Sequence, residues 1–157
     1  MNAWHFTTSS SAPSRQRQAW CDVMRRLCLP IGRLAGSGSF RGAVWCIDSP
    51  LGMQFALVDA EPHEIRGRYL NQPAGIWLTL LVAGKARLGY EDREVDLLPG
   101  DIAYGPTFAD ATLRFSSNFR QLFVNVQRPT LDPRVFAPLA LKLGYLRGRT
   151  GINRVLS

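Results

Sequence analysis

Residues 76–106, IWLTLLVAGKARLGYEDREVDLLPGDIAYGP, leave this chain few folding options. Three strand-length runs, 76–83, 86–90 and 94–98, and a fourth starting at Asp101 are parted by Gly84, by Glu91-Asp92-Arg93 and by Pro99-Gly100. Such residues break helices and turn the chain. A Pro-fixed φ followed by a Gly free to take φ > 0 suits a tight reversal, so the stretch is expected to form a β meander. Alternation puts Ile76, Leu78, Leu80 and Val82 on one face of the first run and Trp77, Thr79, Leu81 and Ala83 on the other. Both faces are largely apolar. One is expected to pack and the other to line a cavity.

Further strands are expected at 40–47 and 53–58, joined by Asp48-Ser49-Pro50-Leu51-Gly52, and at 65–70, 111–115 and 121–127. Together they make eight or nine segments without a helical crossover, hence an all-β core. Before them, residues 1–14 read as a flexible arm ending in Ser14, a candidate N-cap. An amphipathic helix is expected over 15–28, because Trp20, Val23, Met24, Leu27 and Cys28 recur at helical spacing until Leu29-Pro30 stops it. Residues 32–38 read as a loop. After Pro129 the period changes: Val135, Phe136, Leu139, Leu143 and Leu146 sit near helical spacing, so 131–157 is expected to be a helical tail.

A length of 157 residues fits one domain, and 46% hydrophobic with 20% charged residues excludes a disordered chain. No run approaches the roughly 18 apolar residues of a membrane span, and the N-terminus lacks the order of a signal peptide, so a cytoplasmic location is expected. Cys21 and Cys28 lie about 10 Å apart along the expected helix, too far to bridge, and Cys46 is alone in a strand. Buried thiols in a reducing compartment follow. The net charge of +7 is carried almost wholly by arginines scattered from Arg15 to Arg154, a solvated surface more than a nucleic-acid stripe.

Candidate chemistry is sparse. Two histidines, His5 and His63, do not supply the several imidazoles of a strand-built transition-metal site. Asp59, Glu61, His63 and Glu64 form the only acidic cluster beside a histidine, and Pro62 interrupts it as a regular strand. There is no G-x-S-x-G elbow, and Gly36-Ser37-Gly38-Ser39 lacks the Lys-Ser/Thr ending of a phosphate loop. No catalytic residue, metal or cofactor is assigned. Aromatic residues spread over several strands, Trp45, Phe55, Trp77, Tyr104 and Phe123, can instead surround one cavity with Thr79, and Arg66 and Arg68 can hold an acidic ligand there. The alternative is that the aromatics fill a closed core and the arginines face water.

An apolar strand closing on Val82-Ala83-Gly84, a short strand, Leu98-Pro99-Gly100-Asp101-Ile102, the basic strand Ile65-Arg66-Gly67-Arg68 and the exit Asn125-Val126-Gln127-Arg128-Pro129 together resemble the sensor half of AraC-type bacterial transcription regulators. The resemblance runs from about Trp20 through Pro129. It implies a cupin-like jelly roll or β-barrel over 15–130, a small organic effector inside it and no enzymatic activity. It also implies homodimerisation, for which the apolar tail residues Val135, Phe136, Leu139, Leu143 and Leu146 are the candidates. In that family DNA is read by a helix-turn-helix module beyond the sensor. No such pair occurs here, so the tail is expected to be cut short before a DNA-binding domain. A metal-dependent cupin-type enzyme and a non-ligating interaction domain are the rival readings.

Overall fold

The computed structural model describes residues 1–34, 36–67, 75–107, 109–127 and 142–148. In chain order these form β1 (Asn2–Thr7), α1 (Gln16–Arg26), β2 (Ile31–Arg33), β3 (Gly42–Asp48), β4 (Met53–Ala60), β5 (Glu64–Gly67) and β6 (Gly75–Ala83). They continue with β7 (Ala86–Tyr90), β8 (Arg93–Leu97), β9 (Ile102–Pro106), β10 (Ala111–Phe115), β11 (Phe119–Gln127) and β12 (Gly144–Leu146). No helix among the described residues is long and apolar enough to cross a membrane.

Two antiparallel sheets result, one of seven strands in the order β1-β3-β4-β11-β6-β9-β12 and one of five in the order β2-β5-β10-β7-β8. Within them, the four-strand sets β4-β11-β6-β9 and β5-β10-β7-β8 face each other, and the chain changes sheet at every step from β4 to β11 except β7 to β8. That wiring is a jelly roll, the arrangement shared by cupins. It replaces the expected meander. β6 pairs with β9 and β11, whereas β7 and β8 form a hairpin in the other sheet. Gly84 and Gly100, at φ 93 and 95, therefore turn corners between layers and not hairpins within one. A strand apolar on both faces tolerates this, since each of its faces can be covered separately.

The chain ends depart further from expectation. The arm is a strand: β1 pairs with β3 from Asn2↔Asp48 to Thr7↔Ala43, and Trp4 Nε1 donates to Asp48 Oδ2 at 3.1 Å. The expected loop over 32–38 begins as β2, paired with β5. A 3₁₀ turn over Pro13–Arg15 precedes α1, so Ser14 does not cap it; Arg15 takes that place without a side-chain bond. At the other end Cys28 adopts φ 60, and the amides of Leu29 and Cys28 bond to Met24 and Arg25 carbonyls at 2.8 and 3.0 Å, a Schellman closure with Cys where Gly is usual.

Of the expected helical tail, residues 144–146 are extended. β12 lies antiparallel on β9, which would otherwise leave a row of amides and carbonyls unpaired. Asp101 fastens it. The carboxylate accepts from Leu98 N at 3.0 Å, Arg147 Nη1 at 2.8 Å and Gly148 N at 2.9 Å. Burial pushes this carboxyl up, but those three donors together hold it below the usual carboxylate range.

The core lies between the sheets and under α1. Trp20, Val23, Met24 and Leu27 are buried on one side of the helix, which covers the inner face of β1 and β3 where the smaller sheet does not reach. Arg26 lies over the Trp4 ring at 4.2 Å, and Trp20 packs 6.5 Å from Phe6 and 5.5 Å from Phe40. Gly42 makes room for that indole: a Cβ there would stand 2.5 Å from the Trp20 ring. Gly42→Ala is expected to destabilise the domain by about 1 to 3 kcal/mol, read as a lower urea midpoint with an unchanged slope.

On the opposite, outer face of the seven-stranded sheet the register aligns Trp45, Leu57, Leu122, Leu80 and Ile102 in one row. Two residues along, Ile47, Phe55, Val124, Leu78 and Tyr104 make a second.

Candidate functional site

Period-two alternation in β6 and β11 turns Trp77 and Thr79, and Gln121 and Phe123, toward the space between the sheets, where Leu88 and Leu113 face them from the smaller sheet. A cavity of about 30 Å³ remains at their centre. Its walls are mostly apolar, with Thr79, Thr112 and Gln121 as the polar residues. Thr79 Oγ1 donates to Gln121 Oε1 at 2.8 Å, and the Gln121 amide Nε2, in a residue 1% exposed, has no partner among the described residues. Further along the same face of β11, Asn125 Oδ1 is also buried without one. Leaving such a group unbonded in the interior costs about 1 to 3 kcal/mol, so the cavity presents an N–H donor awaiting an acceptor. The Trp77 ring is held by its Nε1–H, which donates to the Pro106 carbonyl at 3.2 Å.

Of the residues expected to bind a ligand, the fold brings Trp77, Thr79 and Phe123 together here. It does not bring the others. Trp45 and Phe55 are 45% and 37% exposed on the outer face, because Val44 and Cys46, and Ala56 and Val58, hold the inward positions of their strands. Tyr104 is likewise on the outer face, against Gly144. Arg66 points to solvent from β5 and bonds Glu64 Oε1 at 3.1 Å, and Arg68 lies outside the described residues. Ile65, not Arg66, is the inward residue there. Among the dimerisation candidates, Val135, Phe136 and Leu139 lie outside the described residues, Leu143 packs on the core, and Leu146 is exposed at the edge strand. Gln121 was the residue missed, although a polar side chain in step with Phe119 and Phe123 marks it as inward.

His63 is enclosed by Trp20, Phe40, Phe115 and Phe119, with ring centroids 5.1 to 5.9 Å away. Nδ1 bonds the Glu61 carbonyl at 2.8 Å, and Nε2 is buried without a partner. Burial pushes this imidazole down to about 4, against a smaller upward pull from the Glu61 carbonyl. The neighbouring carboxylates are taken by arginines: Asp59 by Arg120, Glu61 by Arg41, Glu64 by Arg66 and Arg114. Among the described residues no group of three or more His, Cys, Asp or Glu side chains is placed to hold a metal ion.

No protein-family model matches the chain, and no curated protein does. Solved structures do. One, the AraC-like transcriptional activator CuxR, superposes with a TM-score of 0.73 over 94% of this chain at 13% identity. This chain has the fold of CuxR. A second, the protein Ylba from E. coli, matches at a TM-score of 0.53 over 95% of the chain at 11% identity. The chain spans about half the length of these relatives, 55% of CuxR and 53% of Ylba.

Proposed function

We propose that the chain is the effector-sensing and dimerising domain of an AraC-type bacterial transcription regulator, with a small organic effector bound between the sheets and the protein at work in the cytoplasm. The observation that carries this is the unpartnered Gln121 amide at a cavity lined mostly by apolar side chains. The fold shared with CuxR supplies the context. A carbonyl or carboxylate oxygen on the effector would accept from Gln121, and its apolar body would lie against Trp77 and Phe123. Ligand pockets usually measure about 300 Å³ or more, so the sheets must part to admit an effector. Effector binding then selects a conformation wider than the empty one, which is how a sensor converts occupancy into a signal. DNA would be read by a helix-turn-helix module outside this chain.

A thermal-shift screen with small carboxylates, aromatic amines and sugars tests the reading, run on the native protein and on Gln121→Leu. Leu removes the orphaned amide together with the acceptor of the buried Thr79 hydroxyl, so the variant should lose about 1 to 3 kcal/mol yet stay folded, while a genuine hit loses its shift relative to that variant's own midpoint. Trp77→Ala, by contrast, should cost about 3 to 5 kcal/mol, because the ring is 8% exposed and part of the core. Titrating iron, manganese, nickel and zinc into metal-stripped protein addresses the enzyme rival. Stoichiometric binding would favour a metal-dependent cupin-type enzyme, and neither ligand nor metal would favour a non-ligating interaction domain.

A further inference from the structure

The outer face of the seven-stranded sheet has no covering element among the described residues. Trp45, Ile47 and Val82 are 45%, 44% and 44% exposed, and Phe55 is 37% exposed. Around Trp45 and Phe55 the face forms an open depression of about 500 Å³ with a mostly apolar lining. Isolated surface apolar residues are ordinary, but two consecutive rows running across adjacent strands are not.

We infer that this face is where two copies of the chain meet, sheet on sheet. Its dimensions suit that partner. Register carries the two rows on to His5 and Ala3 of β1 and to Leu146 and Gly144 of β12. Seven strands about 4.8 Å apart therefore give a width of about 29 Å, and two alternate residues, each taking about 7 Å of strand, add about 14 Å, a flat footprint of roughly 400 Å². Two such faces bury about 800 Å² before side-chain relief, close to the roughly 1,000 Å² at which specific contacts begin.

Charge narrows the choice of partner. The chain carries +7, yet the apolar rows hold no Arg, Lys, Asp or Glu, and the charged pair at their margin, Asp59 with Arg120, is already self-neutralised. An acidic or basic partner would leave its charges unmatched there. A second copy brings an equally flat, neutral face, and two twisted sheets pack naturally at about 10 Å separation with their strands about 30° apart. Such a contact is isologous and closes as a C2 pair, so it does not propagate into filaments. His5, stacked on Trp45 at 4.9 Å, sits at the rim of the patch. The interface does not depend on what the interior binds.

Sedimentation equilibrium over a wide concentration range tests it, on the native chain and on Ile47→Glu, Phe55→Glu and Phe136→Glu. The first two place a carboxylate on the outer face, where the native side chains are already half in solvent, and circular dichroism reports whether each variant stays folded. The native chain should reach dimer mass, and a central charge should weaken the dimer by at least about 30-fold. Phe136→Glu, in the tail, should leave it intact. A native monomer at every concentration overturns the inference, as does a dimer that survives both outer-face changes. So does one lost only in Phe136→Glu, which would put the contact in the tail. Val82→Glu replaces either outer-face variant that fails to fold.

Discussion

Trp20→Ala is expected to cost about 3 to 5 kcal/mol of folding free energy. Trp20 is fully buried and is the point at which α1, β1, β3 and the His63 cluster converge. Polar ties at the two ends of the helix add to this: Gln16 Oε1 accepts from Phe40 N at 3.0 Å, Arg17 Nε donates to Gly38 O at 2.9 Å, and Arg26 lies over Trp4. The helix is 11 residues long, has no side-chain N-cap bond, and would be marginal in isolation, so its attachment comes mainly from burying Trp20, Val23, Met24 and Leu27. Trp20→Phe should cost less. It keeps most of the ring and removes the indole N–H, which is buried without a partner. Urea unfolding followed by far-ultraviolet circular dichroism decides it. A loss under 1 kcal/mol for the Ala variant would mean that the helix is not fastened through this residue.

Acid should destabilise the domain before its carboxylates titrate, and His63 is the reason. A buried neutral imidazole with a folded value of about 4 binds its proton less readily than the unfolded chain, where His titrates near 6.5. The unfolded state therefore takes up more protons between these values, and stability falls as pH falls. The contribution of neutral His63 is complete above about pH 6.5 and is lost by about pH 4, a total of about 3 kcal/mol. Glu64, held below the ordinary carboxylate range by Arg66 and Arg114 despite burial, and Asp101 add their own losses lower down. Unfolding free energies at intervals from pH 7.5 to 4.5 should show the decline, and His63→Phe should flatten it. An unchanged slope in that variant would show that another group is responsible.

The strands were legible where local patterning and punctuation agreed. β7 and β10 fall on residues 86–90 and 111–115 as read, and β4 and β11 differ only by two residues at one end. What could not be read was which strands are neighbours. A meander and a jelly roll use the same turn residues, and only the fold decides whether Gly84 closes a hairpin or turns a corner. The end strands were hidden for another reason. β1 and β12 are short edges, and they exist because β3 and β9 offer unpaired backbone, which no pattern within their own residues records.

The candidate site was half legible. Trp77, Thr79 and Phe123 were found because they occupy strands whose inward parity is set by neighbouring core residues. Trp45 and Phe55 were misplaced because a spread of aromatics over several strands does not say which face of its strand each ring occupies. In β3 and β4 the small residues Gly42 and Ala56 face inward instead, leaving room for rings that arrive from elsewhere in the chain, Trp20 at Gly42 most directly.

The two apolar faces of β6 have a consequence for how the chain reaches this structure. A strand with one polar face cannot slide by a residue without burying the wrong side chains, but β6 would exchange Trp77, Thr79 and Leu81 for Ile76, Leu78 and Leu80 with little change in hydrophobicity. Correct threading must then be dictated from its ends. At one, the Gly75 carbonyl accepts from the Thr107 amide at 3.0 Å and the Gly75 amide donates to the Thr107 hydroxyl at 3.1 Å. At the other, Gly84 turns at φ 93 so close to Asn118 and Phe119 that no side chain would fit. Both stops join residues more than thirty positions apart, so β6 stays free to mispair until distant parts of the chain have come together.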